Sequence, residues 1–137
     1  MTRVLIIDDD VNMTGVLEVA LREAGYTVMS TNTGAKGADI VLQVKPDVVI
    51  LDLIMPEMDG WATCRAIRGK SDVPILILSV INKPDLVARA LDDGADDYLV
   101  KPVPLNVLIA HLNTLTRRAH HDMPMNGVKY GLNKISP

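Results

Sequence analysis

Apolar residues gather in five short runs along the chain, Val4–Ile7, Thr27–Ser30, Val48–Leu51, Ile75–Leu78 and Tyr98–Val100. Three of these are continuous Val, Ile and Leu without alternation, the pattern of a strand covered on both faces. Between and after them the period changes to that of a helix. Met13, Leu17, Ala20, Leu21 and Ala24 share one face of a first helix, ended by Gly25. Ala38, Val41 and Leu42 mark a second, stopped before Pro46. Asp59 is placed to cap a third, running to about Arg68 before Gly69. Leu86, Val87, Ala90 and Leu91 mark a fourth, with Gly94 beyond its end, and Leu105, Leu108, Ile109, Leu112 and Leu115 a fifth, begun near Pro104.

Strand and helix thus alternate five times. Right-handed crossovers turn such a chain into an open parallel sheet with helices on both faces, an α/β fold. A five-stranded sheet of this kind commonly has the order 2-1-3-4-5. The periodicity ends near Ala119, so residues 1–119 are expected to form the domain and 120–137, with His120, His121, Pro124, Gly127 and Gly131, a linker or tail.

Composition narrows the function. At 137 residues the chain has single-domain length. Mean hydropathy is +0.20, yet no apolar run reaches the ~18 residues of a membrane span. A net charge of −3 and 3% aromatic residues make a poor electrostatic and stacking surface for nucleic acid. The single cysteine, Cys64, excludes an internal disulfide and suits a reducing cytoplasm. The acidic residues are 14 Asp and only 3 Glu, and Asp favours turns, caps and metal-facing loops over helix interiors.

Where those aspartates stand is the informative point. In an open parallel sheet, ligands bind beyond the carboxyl ends of the strands, at the switch point between strands 1 and 3. Strand 1 runs into Asp8-Asp9-Asp10, strand 3 into Asp52, strand 4 into Ser79 and strand 5 into Lys101-Pro102. Crowded carboxylates repel one another unless a cation sits among them. Few protein oxygens plus water suit Mg²⁺. An Asp carboxylate beside that ion can attack a phosphoryl group, with Ser79 and Lys101 placed to meet its equatorial oxygens.

These stretches resemble the receiver domain of two-component response regulators. The resemblance rests on Val4-Leu5-Ile6-Ile7-Asp8-Asp9-Asp10, Asp52-Leu53-Ile54-Met55-Pro56-Glu57-Met58-Asp59-Gly60, Val73-Pro74-Ile75-Leu76-Ile77-Leu78-Ser79 and Gly94-Ala95-Asp96-Asp97-Tyr98-Leu99-Val100-Lys101-Pro102, and covers roughly residues 3–119. It implies the CheY-like, flavodoxin-like three-layer sandwich. It implies Asp52 as phosphoacceptor, and Asp8, Asp9, Asp52 and the Ile54 carbonyl as the Mg²⁺ site. Ser79 then reorients toward the phosphoryl group, Lys101 pairs with it before a cis Lys-Pro bond, and Tyr98 swings inward on activation. Asp10 matches no required ligand and is expected to serve the turn or cap. The implied partner is a sensor histidine kinase or phosphotransfer protein. The implied product is a signalling switch whose helix 4–strand 5–helix 5 face, about Lys83 to Arg118, changes shape and can form a homodimer. The domain itself is expected to bind neither nucleic acid nor membrane, and its output, transcription through another domain, a stand-alone role or a relay step, stays open.

The sequence departs from the family pattern in places. Val80 follows Ser79 where Ala or Gly is usual, and is expected to narrow access to Asp52. Ile54 and Ile81 offer no side chain to orient an attacking water, which implies a long-lived phosphoryl state. Val103 replaces a common Phe. Val87 and Val107 stand where a basic–acidic pair is common, and His111 where an Arg often pairs with the residue matching Asp97. An Asp-nucleophile phosphohydrolase would need a second Asp two residues after Asp52, where Ile54 stands, so a turnover enzyme is not expected. A flavin-binding flavodoxin relative would need a phosphate loop where the three aspartates lie.

Overall fold

The computed structural model describes residues 2–121. Five strands, β1 (Arg3–Ile7), β2 (Thr27–Thr31), β3 (Val48–Leu51), β4 (Ile75–Ser79) and β5 (Asp97–Val100), alternate with α1 (Val11–Glu23), α2 (Gly34–Val44), α3 (Gly60–Arg68), α4 (Pro84–Asp92) and α5 (Leu105–His121). The strands are all parallel, in the order β2-β1-β3-β4-β5. This is the expected α/β sandwich. Helix α5 runs to His121, and residues 122–137, most of the expected tail, lie outside the described residues.

The continuous apolar strands are explained by their two covered faces. Leu5 and Ile7, Val49 and Leu51, and Ile75 and Ile77 point to one side, where they meet Ala38 and Val41 of α2, Cys64 and Ile67 of α3 and Ala90 of α4. The intervening Val4, Ile6, Val48, Ile50, Leu76 and Leu78 meet Leu21 of α1 and Leu108, Leu112 and Leu115 of α5 on the other. Side chains alternate across a strand, so a strand with helices on both sides must be apolar at every position.

Helix ends follow the expected chemistry. Asp10 caps α1 by accepting from the Met13 amide at 3.1 Å, and Asp59 caps α3 by accepting from Ala62 at 2.7 Å. Gly25 and Gly94 adopt φ of 100° and 117° just past α1 and α4, a conformation only glycine takes without strain. The Lys101–Pro102 bond is cis, as expected.

The helix faces need correction. Met13 shares the apolar spacing of α1 but is 43% exposed; the buried residues of α1 are Thr14 and Leu21. In α4 the four-residue apolar pattern buries only Ala90, and Leu91 is exposed. Periodicity shows which residues share a face. It does not show how deeply a helix sits on the sheet.

Candidate functional site

Parallel strands all end on the same edge, which carries the chemistry. Asp8 lies one residue past β1, its amide held by the Thr31 carbonyl of β2 at 3.1 Å. Asp52 lies one residue past β3, its amide donating to the Ile7 carbonyl at 3.0 Å. The sheet ladder therefore extends one rung beyond the strands and fixes both acidic residues side by side. Carboxylate oxygens of Asp8, Asp9 and Asp52 all lie within 4.8 Å of one another, the one such acidic group among the described residues.

The cluster is half inside the protein. Asp8 is 7% and Asp52 9% exposed, while Asp9 is open to solvent. Asp10 is also exposed and spends its side chain on the α1 cap, as expected. Asp8 Oδ1 accepts from the Asp10 amide at 2.9 Å, and Asp52 Oδ1 from the Ile54 amide at 3.2 Å. The remaining oxygen of each, Asp8 Oδ2 and Asp52 Oδ2, accepts from Lys101 Nζ at 3.2 Å. One ammonium thus bridges two carboxylates. Burial pushes the Asp8 carboxyl above its usual range, opposed by the Asp10 amide and Lys101 and reinforced by the Asp52 charge. Burial alone would lower Lys101, but the Asp52 and Asp8 carboxylates outweigh it and hold the ammonium above its ordinary value.

Lys101 is aimed by its backbone, since its amide donates to the Ser79 carbonyl at 2.8 Å. Ser79, the last residue of β4, is fully buried, and its Oγ accepts from the Ile81 amide at 3.3 Å. Tyr98 is partly buried against the core on the α3–α4 side of the sheet, and its hydroxyl donates to the Ile81 carbonyl at 2.6 Å. Burial raises the Tyr98 phenol. The Ile81 residue is therefore gripped on both sides, at its amide by Ser79 and at its carbonyl by Tyr98. Sequence reasoning named both side chains but missed their common target, because a backbone group in the following loop leaves no trace in residue type.

Access is shaped by apolar residues. Ile54 and Val80 are 51% and 59% exposed. Val80 lines a groove of about 420 Å³ with Met13, Val16, Lys101, Pro102 and Leu105, on the side of the site facing α1 and α5. On the other side Gly60 closes on the acceptor strand. Its amide donates to the Leu53 carbonyl at 2.9 Å, and a Cβ there would stand 2.3 Å from Leu53 Cα and 2.4 Å from the Asp52 carbonyl oxygen.

The donor set suits Mg²⁺: hard carboxylate oxygens, two of them on buried side chains, with an exposed third that leaves room for water. The arrangement offers a nucleophilic carboxylate, a cation beside it and a buried hydroxyl nearby.

The chain resembles known proteins in sequence and in fold. A family model described as the response regulator receiver domain matches residues 4–113. The chain is 36% identical over 121 residues to the DNA-binding dual master transcriptional regulator RpaA of Synechocystis sp., covering 86% of this chain and 50% of that protein. It superposes on a two-component response regulator from Clostridium difficile with a TM-score of 0.83 and 32% identity, covering 87% of this chain and 98% of that one. The BeF3-activated N-terminal receiver domain of Klebsiella pneumoniae RstA gives a TM-score of 0.81 at 28% identity, covering 85% and 99%. The chain spans about half the length of the curated relatives it matches.

Proposed function

This chain belongs to the response regulator receiver family, and from that premise we propose that Asp52 accepts a phosphoryl group from a histidine kinase or phosphotransfer protein and that the modified carboxylate is the signal. The observation that carries the reading is the Lys101 ammonium held at 3.2 Å from both Asp8 and Asp52, at an edge where Asp9 and Ser79 also end. Asp8, Asp9, Asp52 and the Ile54 carbonyl are the groups that would hold Mg²⁺, which when bound supplies positive charge to the carboxylates and to the phosphoryl oxygens. An Asp52 oxygen attacks phosphorus, an O–P bond forms, and the donor's N–P bond breaks with its electron pair leaving on the imidazole nitrogen. Lys101 then exchanges its bond to the Asp52 carboxylate for one to the new phosphoryl oxygens.

The same step reaches the switch. Ser79 turns its hydroxyl toward the phosphoryl group and gives up the Ile81 amide that it accepts from at 3.3 Å. Tyr98 holds the carbonyl of that residue, so the loop entering α4 and the Tyr98 ring move together. This couples Asp52 to the α4–β5–α5 face as a two-state element. Ile54, two residues past Asp52, carries no acid for a hydrolytic cycle, and the chain acts as a switch and not as a turnover enzyme. Relatives of about twice the length include transcriptional regulators. Output through an attached DNA-binding domain, from a reducing cytoplasm, is the corresponding reading for this chain, with the residues after α5 as a linker or tail.

The test is direct. The protein is incubated with Mg²⁺ and an acyl-phosphate donor and its intact mass is measured. One phosphoryl increment is expected, lost with a chelator and lost in Asp52→Asn. Equal labelling of Asp52→Asn overturns the reading.

A further inference from the structure

Helix α4 is held unevenly. Its first turn has little of its own to fix it: Lys83 at the N-cap makes no side-chain cap, and Ala90 is the one buried residue of the helix. The far end is fastened well. Asp93 accepts from Arg65 at 2.9 Å and its carbonyl faces the Cys64 thiol at 3.6 Å, while Arg68 donates twice to the Gly94 carbonyl, at 2.8 and 3.0 Å.

Near the first turn, one side chain makes the connection. Trp61 is the second residue of α3. Its indole N–H donates to the Leu86 carbonyl at 3.3 Å, and the Arg89 guanidinium lies 4.8 Å above its ring. Trp61 directly follows Gly60, which is pressed against the backbone of Asp52 and Leu53. The indole is thus anchored to the acceptor strand on one side and reaches α4 on the other. The Ile81 loop, gripped by Ser79 and Tyr98, runs directly into that same turn of α4.

We propose that Trp61 is a positioning residue of the switch, a latch that holds the first turns of α4 to the acceptor strand in the unmodified chain and is released when the Ile81 loop moves. This rests on the phosphoacceptor reading of Asp52. Helix α4 then pivots about its Asp93–Gly94 end. Arg89 sets the strength of the latch: an exposed cation–π contact is worth about twofold to fivefold in an equilibrium constant.

Trp61 is the only tryptophan, so the full chain labelled with ¹⁵N gives a single indole resonance. Excess acetyl phosphate and Mg²⁺ are added while intact mass is followed in parallel. The indole resonance is expected to move as the phosphoryl increment appears, and to stay in Asp52→Asn. In the unmodified protein, Arg89→Ala is expected to speed amide hydrogen exchange of residues 85–92 by about twofold to fivefold without changing α3, and Arg89→Lys to restore the wild-type rate. Arg89 is half exposed, so these variants fold. Labelling of Asp52 with no movement of the indole resonance overturns the latch alone, as does an Arg89→Ala chain that exchanges like wild type. Failure to label overturns the phosphoacceptor reading, and the latch with it.

Discussion

At the scale of single residues, position in the backbone decides what a side chain is worth. Gly15 and Gly60 make the contrast. A Cβ on Gly15 meets nothing within 4 Å, whereas one on Gly60 meets the backbone of Leu53 and Asp52. Gly15→Ala is expected to stabilise by about 0.5–1 kcal/mol through helix propensity. Gly60→Ala is expected to cost about 1–3 kcal/mol through overpacking. Urea denaturation of the two variants checks both signs; equal effects would contradict the close approach. Cys64 is expected to be inert, because burial pushes its thiol up to about 11 and almost no thiolate forms at neutral pH. Iodoacetamide should modify it only after unfolding, and rapid labelling of the native chain would refute its burial. The acidic and cationic groups of the site were legible in the sequence because topology alone sends Asp8, Asp52, Ser79 and Lys101 to one edge. Their pairing was not. That Lys101 bridges Asp8 and Asp52, and that Ser79 and Tyr98 meet at Ile81, depends on side-chain reach across strands far apart in the chain.

At the scale of elements, the strands were legible and the helix faces only partly. A strand buried on both sides writes an unbroken apolar run, as in Val48–Leu51. A helix lying shallowly on the sheet writes the same apolar spacing as one lying deep, so α4 looked more buried than it is, and Val16 and Val19 of α1 remain 70% and 57% exposed. The loop between β4 and α4 carries a further consequence. Val80 lines the groove beside Lys101, and its branched side chain is expected to narrow the approach of a small phosphodonor. Val80→Ala is expected to speed labelling of Asp52 by acetyl phosphate and to speed loss of the label. Rates equal to wild type in a stopped time course would contradict a gating role for this side chain.

At the scale of the whole molecule, the proposed switch links the acidic cluster at the ends of β1 and β3 to the face built around the edge strand β5. A switch driven from 1:99 to 99:1 needs about 5.5 kcal/mol of differential stabilisation, which a group that remakes the Lys101 and Ser79 contacts together is suited to supply. The α4–β5–α5 face is apolar where charge pairing was the alternative. Val107 is 36% exposed and Val87 half-buried, and Asp97 is taken up within the chain by His111 at 2.5 Å. We propose that any self-association of the phosphorylated chain uses this face; it is then expected to change little with salt, unlike a charge-paired interface, and to be lost in Val107→Asp. Sedimentation velocity at low and high ionic strength tests this, and strong salt weakening would contradict it. The central claim is that one carboxylate carries the message, and the most direct measurement finds that residue chemically. The protein is phosphorylated with an acyl-phosphate donor and Mg²⁺, reduced with borohydride, which converts an aspartyl phosphate to homoserine, and mapped by peptide mass spectrometry. The account predicts homoserine at position 52 and nowhere else; homoserine at Asp8 or Asp9, or none in a chain that has gained the phosphoryl mass, would contradict it.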